Sequence, residues 1–390
     1  MNASRQCLRL ALLRMFAALS SPLRANKLPA FPTGPRILVI RPDHMGDLLF
    51  ATPALRVLRK AFPDARLACM VGPWGKAVLE NNPHWDELIV CEFPAFTRRP
   101  KASALAPYRL LQQWAAQLRA CHFDMAIVLR FDHWWGALLA YVAGIPRRLG
   151  YAIPECQTFL TRAIPYVSQR HEVQQNLALI EQAIQEGGRH VPRDPLTLEF
   201  AVTAKDQEYV ASFLTKHGVT GERDVVAIHP GAGAAVKQWR PEGFAEVADT
   251  IVRCWDARIV ITGSRDELDL AWSIYARMHS DPLIAAGDTT LGQLAALFQC
   301  CRLVIGPDCG PLHLAVAVGT PTVHLYGPVD QYKFGPWSKS EEHLVLISDR
   351  GCIPCNRLDY SAYELPSHPC VREITVQAVI EAAQRLLITT

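Results

Sequence analysis

The stretch IRPDHMGDLLFATPALR, residues 40–56, places two carboxylates, Asp43 and Asp47, around His44 and Gly46 immediately after an apolar run. A carboxylate beside a glycine at the end of a strand suits proton abstraction, because the thin backbone lets a hydroxyl approach. Thr52 and Pro53 read as the cap and first residue of the following helix, which makes 46–51 a turn that displays Asp47. Asp47 could instead be a cap; Asp43 is a rival base and His44 a weaker one.

A second loop, HPGAGAAVKQWR at 229–240, joins a predicted strand to a predicted helix. Gly231 and Gly233 permit close backbone approach, the helix start offers unpaired N–H groups, and Lys237 adds a point charge. The pattern suits a diphosphate or, alternatively, a tight turn. It lacks the Gly-Lys-Ser/Thr ending of a Walker loop. A third loop, GPDCGPLHL at 306–314, repeats the arrangement with Asp308, Gly310, Pro311 and His313; Asp308 could cap the helix that Pro311 opens. In ITGSRDE, 261–267, Asp266 or Glu267 could accept ribose hydroxyls or pair with a helix dipole.

Arg98, Arg99, Lys101, Arg130, Arg147 and Arg148 all fall in the first half, where they form either a solvated face or a patch for an anionic acceptor. Cys352 and Cys355, with His368 and Cys370, have a spacing imperfect for a zinc site, and a thiol-rich packed loop is the expectation, with no metal.

These loops need strands to hold them. Apolar runs at 36–40, 65–71, 86–91 and 124–129 alternate with helical patterns at 105–120 and 134–143. A second series has strands at 224–230, 257–263, LIAAGD (283–288), 302–308 and 321–327. Continuous apolar strands between helices imply parallel sheets covered on both faces, so the prediction is α/β, with two doubly wound domains facing across a cleft. The 390 residues support two cores, and Thr203 with Asp206 predicts a capping box. The domains expected are a 1–34 extension, an acceptor domain 35–205, a nucleotide-sugar domain 206–350, and a Cys-containing loop with a terminal helix, 351–390. A formal net charge of +3 argues against a nucleic-acid partner. The extension, with Arg9 and Arg14 interrupting its apolar run, reads as a basic amphipathic helix on a membrane surface or as a loose tail.

The segments RPDHMGDLLFATPALRVLRKAFP, HPGAGAAVKQWRPEGFAEVA and VIGPDCGPLHLAVAVGTPTVHLYGP, with the CIPC…C tail, resemble glycosyltransferase family 9, the lipopolysaccharide heptosyltransferases, over about 36–385. The resemblance implies a GT-B fold of two Rossmann-like domains. It also implies inverting, metal-independent transfer from an ADP-heptose-type donor to an anionic lipopolysaccharide-core acceptor, with no cofactor. On that resemblance Asp47 is the base and Lys237 lies on the diphosphate. Gly231, Gly233, Glu267, Asp308, Gly310, Pro311 and His313 complete the donor site. Gly46, Arg130, Arg147 and Arg148 are the expected acceptor contacts. A nucleotide-sugar epimerase or a non-catalytic glycan-binding relative is the alternative. The expected location is cytoplasmic, peripheral on the inner membrane.

Overall fold

The computed structural model describes residues 10–11, 13–16, 28–97, 103, 105–219, 223–338 and 341–389. Arg98, Arg99, Lys101 and most of the 1–34 extension lie outside them. Among the described residues of that extension, Leu13 is buried in the first core. No described helix is long and apolar enough to cross a membrane.

The chain forms two compact units, Met1–His44 with Ala51–Leu196, and Met45–Phe50 with Thr197–Thr390. The first contains β1 (Arg36–Arg41), α1 (Met45–Ala61, of which Met45–Phe50 groups with the second unit), β2 (Arg66–Val71), β3 (Glu87–Val90), α2 (Ala106–Ala120), β4 (Met125–Val128), α3 (Trp134–Val142), β5 (Arg147–Tyr151), β6 (Arg162–Ile164) and α4 (Glu172–Glu186). Its sheet runs β3-β2-β1-β4-β5-β6, with every pairing parallel. The central strands read ILVI and MAIV and are fully buried, as strands covered on both faces must be.

The second unit contains α5 (Ala204–Lys216), β7 (Val225–Ile228), α6 (Pro241–Trp255), β8 (Arg258–Ile261), α7 (Leu268–Tyr275), β9 (Leu283–Ile284), α8 (Leu291–Gln299), β10 (Leu303–Pro307), α9 (Gly310–Ala317), β11 (Thr322–Leu325), β12 (His343–Leu346) and α10 (Val376–Thr389). Its order, β12-β11-β10-β7-β8-β9, is the same topology with the strands again parallel. The order reverses beside β1 and β4 in one unit, and beside β7 and β10 in the other. Ligands of doubly wound folds bind at those switch points, beyond the strands' carboxyl ends. The capping box at Thr203 and Asp206 is present, with Asp206 N to Thr203 Oγ1 at 3.2 Å and the return bond at 3.1 Å. The division at Leu196–Thr197 puts α5 in the second unit, where the Tyr209 hydroxyl donates to Asp288 O at 2.8 Å.

One expectation about local structure is corrected. Helix α1 begins at Met45, with His44 as its cap, so Pro53 sits inside the helix and Asp47 lies in its first turn. Energetics account for the difference. Pro53 costs roughly 3 kcal/mol in a helix interior. Leu48, Leu49 and Phe50 are each at most 2% exposed, and burying such side chains gains about 1.5–3 kcal/mol apiece. Burial therefore outweighs the proline.

Candidate active site

In the second unit the loop after β7 turns through a short 3-10 segment, Ala235–Lys237, before α6 starts at Pro241. Trp239 anchors it: the indole is 2% exposed, packs edge-on to Phe244 at 4.9 Å and donates to Ile374 O at 3.0 Å. So pinned, Lys237 extends its ammonium to Asp308, beyond β10, at 2.7 Å. Two loops far apart in sequence thus join at the switch point.

Asp308 is buried, and so is His313 on α9, whose Nε2 stands 3.6 Å from the carboxylate. Burial alone would push the Asp308 pKa up. The Lys237 charge and the His313 ring more than offset it and hold the carboxyl well below the usual range. Cys309, not Asp308, occupies the cap position of α9 and makes no side-chain cap bond, so the capping alternative for Asp308 is excluded. Gly310 and Pro311 open that helix.

Glu267 lies against the loop that carries Lys237. Its Oε2 accepts from Ser264 N at 2.7 Å and Ser264 Oγ at 2.8 Å, closing a capping box. Its Oε1 hangs over Gly231, where an added Cβ would fall 1.9 Å from that oxygen. The glycine is what admits the carboxylate. Asp266 is exposed, so of the two acids only Glu267 turns toward the loop. Gly233 lies on the same 229–240 loop.

The first turn of α1 belongs to this unit. The Phe50 ring lies 4.6 Å from the His313 ring, and a Cβ on Gly46 would meet His313 Cδ2 at 3.3 Å. Asp47, half-buried, sits between these two residues in sequence and near the positive end of the helix dipole.

Sequence reasoning did not single out Tyr326, Trp239, Phe50 or His229. Tyr326 is fully buried beyond β11, donates its hydroxyl to Phe334 O at 2.7 Å, and has its pKa driven up by burial and by Asp308. His229 is buried against Thr262 Oγ1 at 3.0 Å, and burial depresses its pKa to about 4 despite the nearby Glu267 charge. The signal available was the histidine beginning the glycine loop.

The first unit's switch point is built differently. Arg41 ends β1 and is 2% exposed; it reaches Asp43 at 2.8 Å, Asn176 at 2.9 Å and Glu172 at 2.9 Å. Arg130, after β4, grips the other oxygen of Asp43 and binds Asp132 at 2.6 Å. Burial would raise the Asp43 pKa, but the two guanidiniums lower it. A carboxylate 1% exposed and held by two arginines cannot take up a substrate proton, so Asp43 is removed as rival base.

Arg147 and Arg148 correct a further expectation. Both lie on β5, each 7% exposed. Arg148 donates to the carbonyls of Phe159 and Ile145, and Arg147 donates to Pro29 O at 2.5 Å while stacking on Phe31. Their donors tie loops to the sheet and do not form an acceptor patch. Among the described residues, no three His, Cys, Asp or Glu side chains are grouped to hold a metal; Cys352 and Cys355 are exposed and Cys370 buried, all as free thiols.

The glycosyltransferase family 9 (heptosyltransferase) profile matches residues 111–363, more than half of the chain. The chain is a member of glycosyltransferase family 9. Lipopolysaccharide heptosyltransferase 2 of Escherichia coli K12 is 24% identical over 366 residues, covering 90% of this chain and 99% of that one. The lipopolysaccharide core heptosyltransferase OpsX of Haemophilus influenzae is 24% identical over 370 residues, 92% and 99% of the two chains. Among solved structures, a family 9 glycosyltransferase from Veillonella parvula superposes with a TM-score of 0.75 at 26% identity, covering 91% of this chain and 98% of that one. The E. coli ADP-heptose LPS heptosyltransferase II gives 0.70 at 24%, covering 90% and 98%. The fold of this family 9 glycosyltransferase is therefore GT-B, with two Rossmann-like domains.

Proposed function

We propose that this glycosyltransferase moves a heptose, or a related sugar, from an ADP-activated donor to a lipopolysaccharide core or similar glycolipid, with inversion. The observation that carries the reading is the Lys237–Asp308 pair at the second unit's switch point, with Glu267 over the glycine loop that bears Lys237. Nucleotides bind at such points, and an ammonium there meets the charge that grows on a departing diphosphate. The relatives' names supply the sugar and the acceptor class.

The chemistry follows in one displacement. An acceptor hydroxyl oxygen attacks the anomeric carbon, and the bond from that carbon to the β-phosphate oxygen breaks. The proton passes to the Asp47 carboxylate, and the electron pair leaves with the diphosphate. Lys237 stabilises that charge more in the transition state than in the bound donor. Asp308, with His313 beside it, holds Lys237, and Glu267 takes the ribose hydroxyls. Gly231, Gly233, Gly310 and Pro311 shape the donor pocket, and Gly46 keeps the backbone thin beside the base. The first unit binds the acceptor. The enzyme works on the cytoplasmic face of the membrane carrying that acceptor and uses no cofactor or metal. An epimerase would act without an acceptor, and family membership favours transfer over it.

Incubating the protein with ADP-heptose and heptose-deficient lipopolysaccharide tests the reading. Acceptor-dependent release of ADP and an inverted anomeric linkage by NMR are expected. Release or epimerisation without acceptor contradicts it.

A further inference from the structure

Arg130 was expected to contact an anion, but its surroundings describe a different ligand. The guanidinium is 31% exposed and lies over the rings of Phe96, at 5.1 Å, and Phe131, at 5.8 Å. Phe131 in turn stacks on Tyr166 at 4.3 Å and 17°. Asp43 fixes Nη1 and Asp132 fixes Nε, so the side chain has little freedom left. Among the described residues, Nη2 has no hydrogen-bond partner, and only Oδ1 of Asp132 is engaged.

Charge decides what fits there. Among the described residues, the ion-paired group here sets Arg41 and Arg130 against Asp43, Asp132 and Glu172, two guanidiniums against three carboxylates, which leaves that group one net negative charge. His133 contributes none, since burial depresses its pKa to about 3. A phosphate or carboxylate would enter an environment of its own sign, at an arginine already neutralised. A hydroxyl suits it better. One hydroxyl accepts from Nη2 while its neighbour donates to the free Asp132 oxygen, and the aromatic rings offer apolar surface to the C–H face of a pyranose.

We propose that Arg130 and Asp132 form a subsite for adjacent hydroxyls of an uncharged sugar ring in the acceptor, with Asp43 as the positioning residue for Arg130. This rests on the transferase reading, in which the first unit carries the acceptor. It makes Arg130 and Asp132 specificity-determining for a neutral ring and leaves recognition of acceptor anions to other residues.

Saturation-transfer NMR on the full chain tests it, with methyl α-mannopyranoside as the neutral probe and inorganic phosphate as the competitor. The glycoside should bind the wild type and stay bound in excess phosphate and at raised salt. Asp132→Asn, at an exposed position, should keep its melting temperature and bind about tenfold more weakly, the scale of one charge-assisted hydrogen bond. Arg130→Met should bind about as weakly, with a lowered melting temperature because the buried Asp43 loses one of its two guanidiniums, and Arg130→Lys should fail to restore binding, because a point charge lacks the planar fork. Displacement of the glycoside by phosphate, rescue by lysine, no glycoside binding, or unchanged affinity in Asp132→Asn would each overturn the proposal. ADP binding in the same samples reports separately on the transferase reading. Its loss would break that reading and leave the sugar result standing.

Discussion

The two units share one strand order but have opposite interiors at the point where that order reverses. Beside β1 and β4, the buried Arg41, Asp43, Glu172 and Asn176 and the half-buried Arg130 close into a network. Beside β7 and β10, a glycine loop leaves Lys237 and Asp308 as the central charged pair, with Glu267 leaning over Gly231. Both points gather charge, but the second does so around a glycine that lets a carboxylate close on the backbone. A buried ion network gives the first unit rigidity at a steep cost if broken. An ammonium held by one carboxylate beside a glycine loop is built to meet a ligand.

The largest effect expected from that contrast separates two acids four positions apart. Asp47→Asn should lower turnover by about 10²–10⁴-fold, the range for a general base, with the melting temperature near wild type. Asp43→Ala should instead destabilise the protein by roughly 3–5 kcal/mol, because Arg41 and Arg130 lose a buried partner. Urea unfolding and initial rates distinguish the two. A stable Asp43→Ala protein would erase the contrast.

Acid should act through both units. His133 and His229 are buried and His343 half-buried, with pKa values lowered to about 3, about 4 and about 4, mainly by desolvation. Below about pH 6.5 the unfolded chain binds protons on these groups that the folded chain refuses, so stability must fall as the pH drops from there toward about 4. Each unit of pKa depression corresponds to about 1.4 kcal/mol once the pH lies below the folded value. Denaturant melts across that window should show the decline, and His229→Asn should make it shallower. A flat profile from pH 6.5 to 4 would contradict the burial argument.

A smaller effect tests the glycine loop. Gly231→Ala puts a Cβ 1.9 Å from Glu267 Oε1, so the flexible carboxylate must swing away. ADP affinity should weaken by about tenfold, ~1.4 kcal/mol, with little change in melting temperature. Calorimetry showing wild-type affinity would remove Glu267 from the donor site.

The sequence made much of this legible. Uninterrupted apolar strands such as ILVI and MAIV, with capping residues at Thr203 and Asp206, exposed the two doubly wound halves. Strand β5 was hidden because it reads RRLGY: two arginines break the apolar run, and only the carbonyls they bind in three dimensions explain their burial. The strand at LIAAGD was legible, and β9 takes its first two residues, whereas β12, HLVL, is a half-buried edge strand that did not stand out. The start of α1 was masked by Pro53, whose local cost yields to burial of Leu48, Leu49 and Phe50. Lys237 and Asp308 were each visible as candidates, but their pairing depends on β7 lying beside β10, which no local pattern encodes. Asp43 and Asp47 looked interchangeable in sequence. Their environments differ because one lies at the end of a central strand and the other in a helix's first turn.

The central claim is that the second switch point, not the first, takes the nucleotide. Thermal denaturation with and without ADP, on the wild type, Lys237→Met and Arg130→Met, tests it most directly. A ligand that binds only the folded state raises the apparent melting temperature. The account predicts a shift for the wild type and for Arg130→Met, and little or none for Lys237→Met. An undiminished shift in Lys237→Met, or its loss in a folded Arg130→Met, would contradict it.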